Sequence, residues 1–322
     1  MSLQNQKSNI EDVDLSVIIP LFNEAENLSR LCVRMKEVLA ETRYVCELIF
    51  VDDGSLDNSL EVLRGIKDES ENEPAIRIVQ LSRNFGQDPA LIAGFSVAKG
   101  KTLVTIDADL QIDPDHIVPM MDKMDQGFDF VSGIRRGKGD SFWLRRLPSR
   151  VLNTVICAVT GKKLRDYGCP LNAMRSEIAK GMQAYGEMQR FFKPLAVRLA
   201  SRIAEMEVIY GRREKGRSKY GLWHLIDLFF DFVTNFSKQL FQRLTILGAC
   251  LCVFSLLSGV AYLVLRFFFS IIPEPFDRLQ VVLFIAFTFG MQLLVLGVLG
   301  DFVIRIYGKI ESGPIYEIKK IW

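Results

Sequence analysis

The chain has 322 residues, and 40 Lys and Arg stand against 38 Asp and Glu, for a formal net charge of +2. So even a balance excludes a generic nucleic-acid binder, which needs a basic excess on one face. The length suits one large domain plus an appendage. The 49% hydrophobic content is unevenly spread, because residues 1–243 read as an α/β protein and the remainder is largely apolar. The six cysteines, Cys32, Cys46, Cys157, Cys169, Cys250 and Cys252, make no CxxC pair and no zinc spacing. They are read as reduced, buried thiols rather than a disulfide or metal framework. The segment before Leu15 is polar and mixed in charge, which does not read as a signal peptide.

Leu15 to Leu21 is a short apolar run rich in Val and Ile, and it predicts a buried strand. Leu28, Leu31, Cys32, Met35 and Leu39 then fall at helical spacing, predicting a helix from Glu24 to about Thr42. A second strand is predicted over Glu47 to Val51, ending in Asp52, Asp53, Gly54 and Ser55, with a helix over Asp57 to Lys67. A third strand, Ile76 to Leu81, leads into Ser82 to Gln87; a further helix precedes a fourth strand, Thr102 to Ile106, which ends at Asp107, Ala108 and Asp109. This alternation predicts a parallel, doubly wound sheet. Ligands bind such sheets outside the carboxyl ends of the strands, and each polar cluster just named lies there.

Leu244 to Leu265 and Leu279 to Gly300 carry no charge. As helices each would extend about 33 Å, enough for a hydrocarbon core of about 30 Å, so membrane spans are preferred to buried core helices. Lys238 and Arg243 precede the first run, and Arg305, Lys309, Lys319 and Lys320 follow the second. Despite Arg266 and Arg278 beside the intervening loop, this balance places both termini in the cytoplasm. Before the first run, His224, Asp227, Asp231, Asn235, Lys238 and Gln242 form one polar stripe on an otherwise apolar helix, which reads as interfacial. Val151, Leu152, Val155, Ile156 and Val159 make a smaller amphipathic pattern. The expected organisation is a catalytic domain over 1–221, a juxtamembrane helix over 222–243, two spans over 244–300 and a cytoplasmic tail over 301–322.

Asp107, Asp109 and Gln111 offer hard oxygen ligands at a strand end, suited to Mg²⁺ or Mn²⁺ held together with phosphates. Asp52 and Asp53 have a plain turn reading. With Asn23, Glu24 and Asn84, however, they put polar groups at several ends of one sheet, where a single site is expected. Two basic clusters lie beside the amphipathic segments: Arg135, Arg136, Lys138, Arg145, Arg146 and Arg150, and then Arg212, Arg213, Lys215, Arg217 and Lys219. They suit a lipid phosphate as well as anionic headgroups. Asp166 reads equally as a turn former before Gly168 or as a carboxylate facing the sugar. His116, expected on a surface helix, and His224 have no nucleophile or metal partner in view.

Several of these pieces together resemble the family-2 glycosyltransferases that act on polyprenyl phosphates. They are Val17 to Pro20 with Asn23 and Glu24, Val51 to Ser55 with Asp57, Arg83 to Gln87, Asp107 to Gln111, Asp166 to Cys169, and Gly216 to Lys219, with two spans after them. The set is similar to dolichol-phosphate mannosyltransferases, and more so to the bacterial undecaprenyl-phosphate glucosyl and formamido-arabinose transferases. The resemblance implies a GT-A (Rossmann-like) α/β catalytic domain and inverting transfer of a sugar, UDP-linked in the donor, to undecaprenyl or another polyprenyl phosphate for cell-envelope glycosylation. It assigns Pro20, Asn23, Glu24, Asp52, Asp53, Ser55, Asn84, Gln87 and Asp107 to the nucleotide sugar, and Asp107, Asp109 and Gln111 to the metal and diphosphate. Arg135, Arg145, Ser149, Arg213, Ser218 and Lys219 become candidates for the acceptor phosphate, with Asp109, Asp166 and Arg213 as catalytic candidates. The implied place is the inner membrane with the catalytic domain in the cytoplasm, in one copy or as a homo-oligomer. Of the rivals, a processive polysaccharide synthase lacks its Gln-x-x-Arg-Trp motif here and would need more spans. A non-enzymatic nucleotide-sugar sensor would not need the acidic set beside arginines.

Overall fold

A computed structural model describes residues 13–68, 74–136, 157, 161–211, 238–269, 277–310 and 315–322. The chain divides into two compact units, Met1–Lys219 with Gly313–Trp322, and Tyr220–Ser312.

The first unit is built on an eight-stranded sheet. Its strands are β1 (Leu15–Leu21), β2 (Cys46–Asp52), β3 (Ala75–Leu81), β4 (Thr102–Thr105), β5 (Phe130–Arg136), β6 (Asn172–Arg175), β7 (Ile203–Ile209) and β8 (Ile318–Ile321), in the order β7-β5-β6-β4-β1-β2-β3-β8. The central β4-β1-β2-β3 run is parallel, as the alternation of elements predicts. The whole sheet is mixed, however, because β6 runs antiparallel to β4 and β5, and β8 antiparallel to β3.

All seven residues of β1 are buried, which explains its unbroken apolar sequence: both faces of the strand are covered. Leu15, Val17, Ile19 and Leu21 pack with Leu28, Leu31, Cys32, Met35 and Leu39 of α1 (Ala25–Ala40) and with Leu63 of α2 (Ser59–Asp68). Ile18, on the other face, packs with Ile49, Val51 and the apolar helix α3 (Gln87–Val97). Side chains of this size contribute about 1.5–3 kcal/mol each when fully buried, so the central strands are the stable base from which the loops project. Three further helices cover the sheet: α4 (Ile117–Asp125), α5 (Ser176–Met182) and α6 (Phe192–Leu199). His116 ends the 3₁₀ turn Pro114–His116 instead of lying on a surface helix, and its Nε2 accepts from the Ile209 amide at 3.1 Å.

The expected tail does more than trail from the second span. Ile78 and Trp322 exchange both backbone hydrogen bonds, and the Arg64 guanidinium lies 4.1 Å from the centre of the Trp322 ring. The Ser82 amide and hydroxyl donate to the carbonyl and carboxylate of Glu317. The end of the chain is thereby fixed to the sheet that β1 belongs to.

In the second unit, α7 (Lys238–Phe269) and α8 (Asp277–Ile310) contain the apolar segments Phe241–Phe268 and Arg278–Val303, each long and apolar enough to cross a membrane. Only 11% of each segment's most apolar window is buried, whereas a core helix is mostly buried. The two pack through small residues: a Cβ on Gly248 would lie 2.5 Å from the Leu294 amide nitrogen. The amphipathic segments, residues 151–156 with 158–160 and 222–237, lie outside the described residues, as do Arg145, Ser149, Arg213, Ser218 and Lys219.

Candidate active site

The first two strand ends are laced to each other. The Asn23 amide donates to Ser55 Oγ at 3.0 Å, the Leu56 amide to Asn23 Oδ1 at 2.7 Å, and the Glu24 amide to Ser59 Oγ at 3.0 Å. Asn23 sits at φ 58°, a left-handed conformation that asparagine tolerates better than most residues. Pro20 is buried within β1, opposite Val51, and the Glu24 carboxylate accepts from the Asn27 side chain at 2.7 Å.

Asp52 and Asp53 are almost fully buried. Asp52 accepts from the Ser55 amide at 3.0 Å, closing the turn after β2. Asp53 reaches the next loop, where its two oxygens accept from the Phe85 amide at 2.7 Å and the Gly86 amide at 2.9 Å. Both carboxylates therefore perform turn and loop chemistry, holding the segment of Arg83 and Asn84, where the Arg83 guanidinium lies 4.2 Å from the Phe85 ring centre. Gly54 makes this approach possible: it has φ 66°, and a Cβ there would lie 2.6 Å from the Arg83 carbonyl carbon.

Burial pushes the Asp53 carboxyl up to about 6, although the two amides pull it down. A folded pKa above the unfolded value of about 3.9 means a stability contribution that is full below that pH and lost as pH rises through about 6. We therefore expect wild-type protein to lose about 2–3 kcal/mol from this group between pH 4 and 7. Asp53→Asn should remove that part of the slope in thermal or urea unfolding followed across the range.

The fourth strand end carries Asp107, Asp109 and Gln111, all half-buried. Gln87 Nε2 donates to Asp107 Oδ1 at 2.6 Å, and Asp109 accepts from the Gln111 amide at 3.1 Å. Between them Leu110 is held at φ 55°. That conformation is strained for a bulky residue, and such strain concentrates at functional turns. Tyr210, directly after β7, donates its hydroxyl to Gln111 Oε1 at 2.5 Å. Burial and the nearby Asp109 and Asp107 carboxylates raise the Tyr210 pKa, so the phenol stays a donor.

The same Tyr210 ring lies under the Arg135 guanidinium, 5.5 Å from its carbon to the ring centre. Arg135 is joined to Asp166 by two side-chain bonds of 2.8 and 2.9 Å and by its own amide at 3.2 Å. The Gly168 amide adds a fourth bond to that carboxylate at 2.9 Å. Burial works against ionisation of Asp166, but Arg135 and then Lys193 more than offset it and hold the carboxyl below the usual range. Neighbouring Arg136 points to the other face of β5 and pairs with Glu207 at 2.5 Å, which separates two arginines that sequence alone leaves ambiguous.

A Cβ on Gly168 would fall 2.5 Å from Arg135 Nη2. The atom in the way is the end of a flexible side chain, so Gly168→Ala should fold normally and displace the guanidinium from Asp166. The expected result is about a 10- to 100-fold loss of activity with an unfolding midpoint close to wild type.

The groups thus form one chain of contacts: Gln87, the Asp107 turn, Tyr210, Arg135, Asp166. Sequence reasoning named each member except Tyr210, which stands two residues before the Arg212 cluster and belongs to no motif itself. A groove of about 890 Å³ adjoins this chain, lined by Arg30, Arg34, Leu110, Gln111, Ile209 and Gly211 among others.

The family model for glycosyl transferase family 2 matches residues 16–182, a segment that contains both the Asp107 turn and the Arg135–Asp166 pair. The chain belongs to glycosyltransferase family 2. This family-2 chain is 38% identical over 313 residues to an undecaprenyl-phosphate 4-deoxy-4-formamido-L-arabinose transferase of Edwardsiella ictaluri, covering 95% of this chain and 94% of the relative. It is 37% identical to the enzyme of the same name from Proteus mirabilis, covering 95% and 93%. Among solved structures, mannosyl-3-phosphoglycerate synthase from Rubrobacter xylanophilus aligns with a TM-score of 0.51 at 14% identity, covering 72% of this chain and 75% of that one. The glycosyltransferase is therefore a GT-A-like α/β protein with two apolar helices that fit membrane association.

Proposed function

We propose that this transferase moves a sugar from a UDP-linked donor to undecaprenyl or another polyprenyl phosphate, with inversion, at the cytoplasmic face of the inner membrane. The observation that carries the reading is the contact of Tyr210 with both Gln111 and Arg135, which puts an acidic strand end beside an arginine. Transfer between two anions needs that arrangement, with oxygen ligands and donors for the departing diphosphate on one side and a cation for the incoming phosphate on the other. The names of the relatives and the two apolar helices support a lipid acceptor.

The donor set fits a divalent cation shared with substrate. Asp107 and Asp109 offer two carboxylates, and Gln111 adds an amide oxygen at the same strand end, all three being hard oxygen donors. No group of three His, Cys, Asp or Glu that could hold a metal occurs among the described residues, so diphosphate oxygens would complete the shell. When bound there, Mg²⁺ or Mn²⁺ would neutralise charge on the diphosphate.

The chain's own residues then do the following. Gln87 and the Gln111 amide orient the two aspartates. Asp166 holds Arg135 in a fixed fork facing Tyr210, where one guanidinium edge meets the carboxylate and a phosphate can use the remaining donors. An acceptor phosphate oxygen attacks the anomeric carbon as the bond from that carbon to the donor diphosphate breaks, and the nucleoside diphosphate leaves with the electron pair. A phosphomonoester has a second pKa of about 6, so the nucleophile is already mostly dianionic at neutral pH. A general base is then unnecessary, which agrees with an Asp166 engaged by four donors and held in its ionised form. Of the two sequence readings of Asp166, turn former or carboxylate facing the sugar, this proposal takes neither as its main role and gives the carboxylate the holding of Arg135.

Incubating purified protein with a panel of nucleotide sugars and one short polyprenyl phosphate tests the reading directly. A lipid-linked sugar of inverted configuration is expected from a UDP donor; its absence across the panel would remove the proposal. The proposed topology predicts that a cysteine placed at Glu274, between the spans, reacts with an impermeant thiol reagent added from outside the membrane. Labelling only after disruption of the membrane would reverse the orientation.

A further inference from the structure

A lysine lies buried behind the Asp166 turn. Lys193, in α6, is 3% exposed, and its Nζ donates to the carbonyl oxygens of Asp166 at 2.8 Å and Cys169 at 3.1 Å. Those carbonyls stand at the two ends of the segment from Asp166 to Cys169. The ammonium therefore cross-links the turn whose first side chain grips Arg135. The charged and titratable groups facing it are Cys169 and Asp166 from the turn, Arg135 from β5 and Glu205 from β7. An ammonium in such a place is costly, and a methionine of similar volume would pack there without that cost. Its partners are main-chain oxygens, so what it fixes is the backbone path of the turn.

We propose that Lys193 is a positioning residue for the transfer reaction: by pinning both ends of the 166–169 turn it sets the Asp166 carboxylate, and through it the Arg135 guanidinium, for the acceptor phosphate. The inference rests on the reading of Arg135 as a phosphate ligand. The charge contributes in the same direction. Burial lowers the Lys193 pKa to about 8, which leaves the group mainly protonated at neutral pH, and its field is among those that keep Asp166 ionised.

The test is a double-mutant cycle on the full-length protein in detergent. Lys193→Met removes the ammonium and both of its hydrogen bonds, Lys193→Gln keeps an uncharged N–H donor group, and each is made alone and together with Asp166→Asn. Donor affinity is read from UDP binding, and acceptor use from kcat/KM for a short polyprenyl phosphate. The expected result is a loss of about 10- to 100-fold in acceptor kcat/KM for Lys193→Met, with UDP affinity within about 3-fold of wild type and a smaller loss for Lys193→Gln. In the Asp166→Asn background Lys193→Met should cost less than about 2-fold, because the residue through which it acts is already disabled. Unchanged kinetics, or an equal loss in both backgrounds, would overturn the proposal. So would failure of both single variants to fold, which would make Lys193 a core residue and nothing more. A wild-type protein that binds UDP but forms no lipid product would instead remove the reading of function on which the proposal rests.

Discussion

Asp109→Ala should lower turnover by about 1,000-fold or more while the protein stays folded, which circular dichroism and an unchanged unfolding midpoint would establish. The expectation rests on position. Asp109 is half-buried at a strained turn, where one of its carboxylate oxygens accepts from the Gln111 amide. It contributes to no hydrophobic cluster, so its loss removes chemistry and little packing. Wild-type turnover should likewise fall to background in excess chelator and return with Mg²⁺ or Mn²⁺. Full activity in chelator would exclude the metal role of the Asp107 turn.

Arg135→Ala is the second large effect. A charge-assisted hydrogen bond to phosphate contributes about 1.5–3 kcal/mol, so acceptor kcat/KM should fall by about 10- to 150-fold per bond lost, with UDP binding nearly unchanged. Arg135→Lys should rescue poorly. A lysine keeps the charge but cannot hold Asp166 through two parallel bonds and still present further donors. Removing the guanidinium also leaves Asp166, now half-buried and without its main partner, to be ionised at a cost. A lower stability at neutral pH than at acid pH, relative to wild type, would be the sign of that strain. Equal losses in UDP affinity and acceptor use would place Arg135 on the donor diphosphate instead.

These two residues were legible in the sequence for different reasons. The Asp107 turn follows an apolar strand, and the rule that ligands gather at the carboxyl ends of parallel strands is enough to find it. From the residues alone Arg135 is one of a basic cluster, and the family resemblance is what makes it a candidate for the acceptor phosphate. Its partner lies 31 residues away, and no periodicity links the two. The period of two in β5 is what separates Arg135 from Arg136, and it helps only once the strand is known. The central strand β1 reads correctly because burial on both faces forces a continuous apolar run, and β4 is buried along its whole length as well.

The last strand was not legible. Ile318–Ile321 has lysines at its centre and pairs with β3, from which more than two hundred residues separate it. Charged residues suit an edge strand, which must not recruit other chains, and that same chemistry hides it from a search for apolar runs. Tyr210 and Lys193 were missed for a related reason: each acts on partners brought close by the sheet, and neither belongs to a local pattern. Asp53 has contacts that its motif does not announce: its two oxygens accept from the amides of the following loop.

The central claim is that a phosphate oxygen carried by a lipid is the nucleophile. It is tested most directly by offering one UDP-sugar with three acceptors in parallel: a short polyprenyl phosphate, the corresponding free polyprenol, and water alone. The account predicts a sugar-phosphate-lipid product with the first and only background with the other two, since an alcohol would need the general base that Asp166 does not supply. Transfer to the free polyprenol at a comparable rate, or release of free sugar that is indifferent to the lipid phosphate, would contradict it.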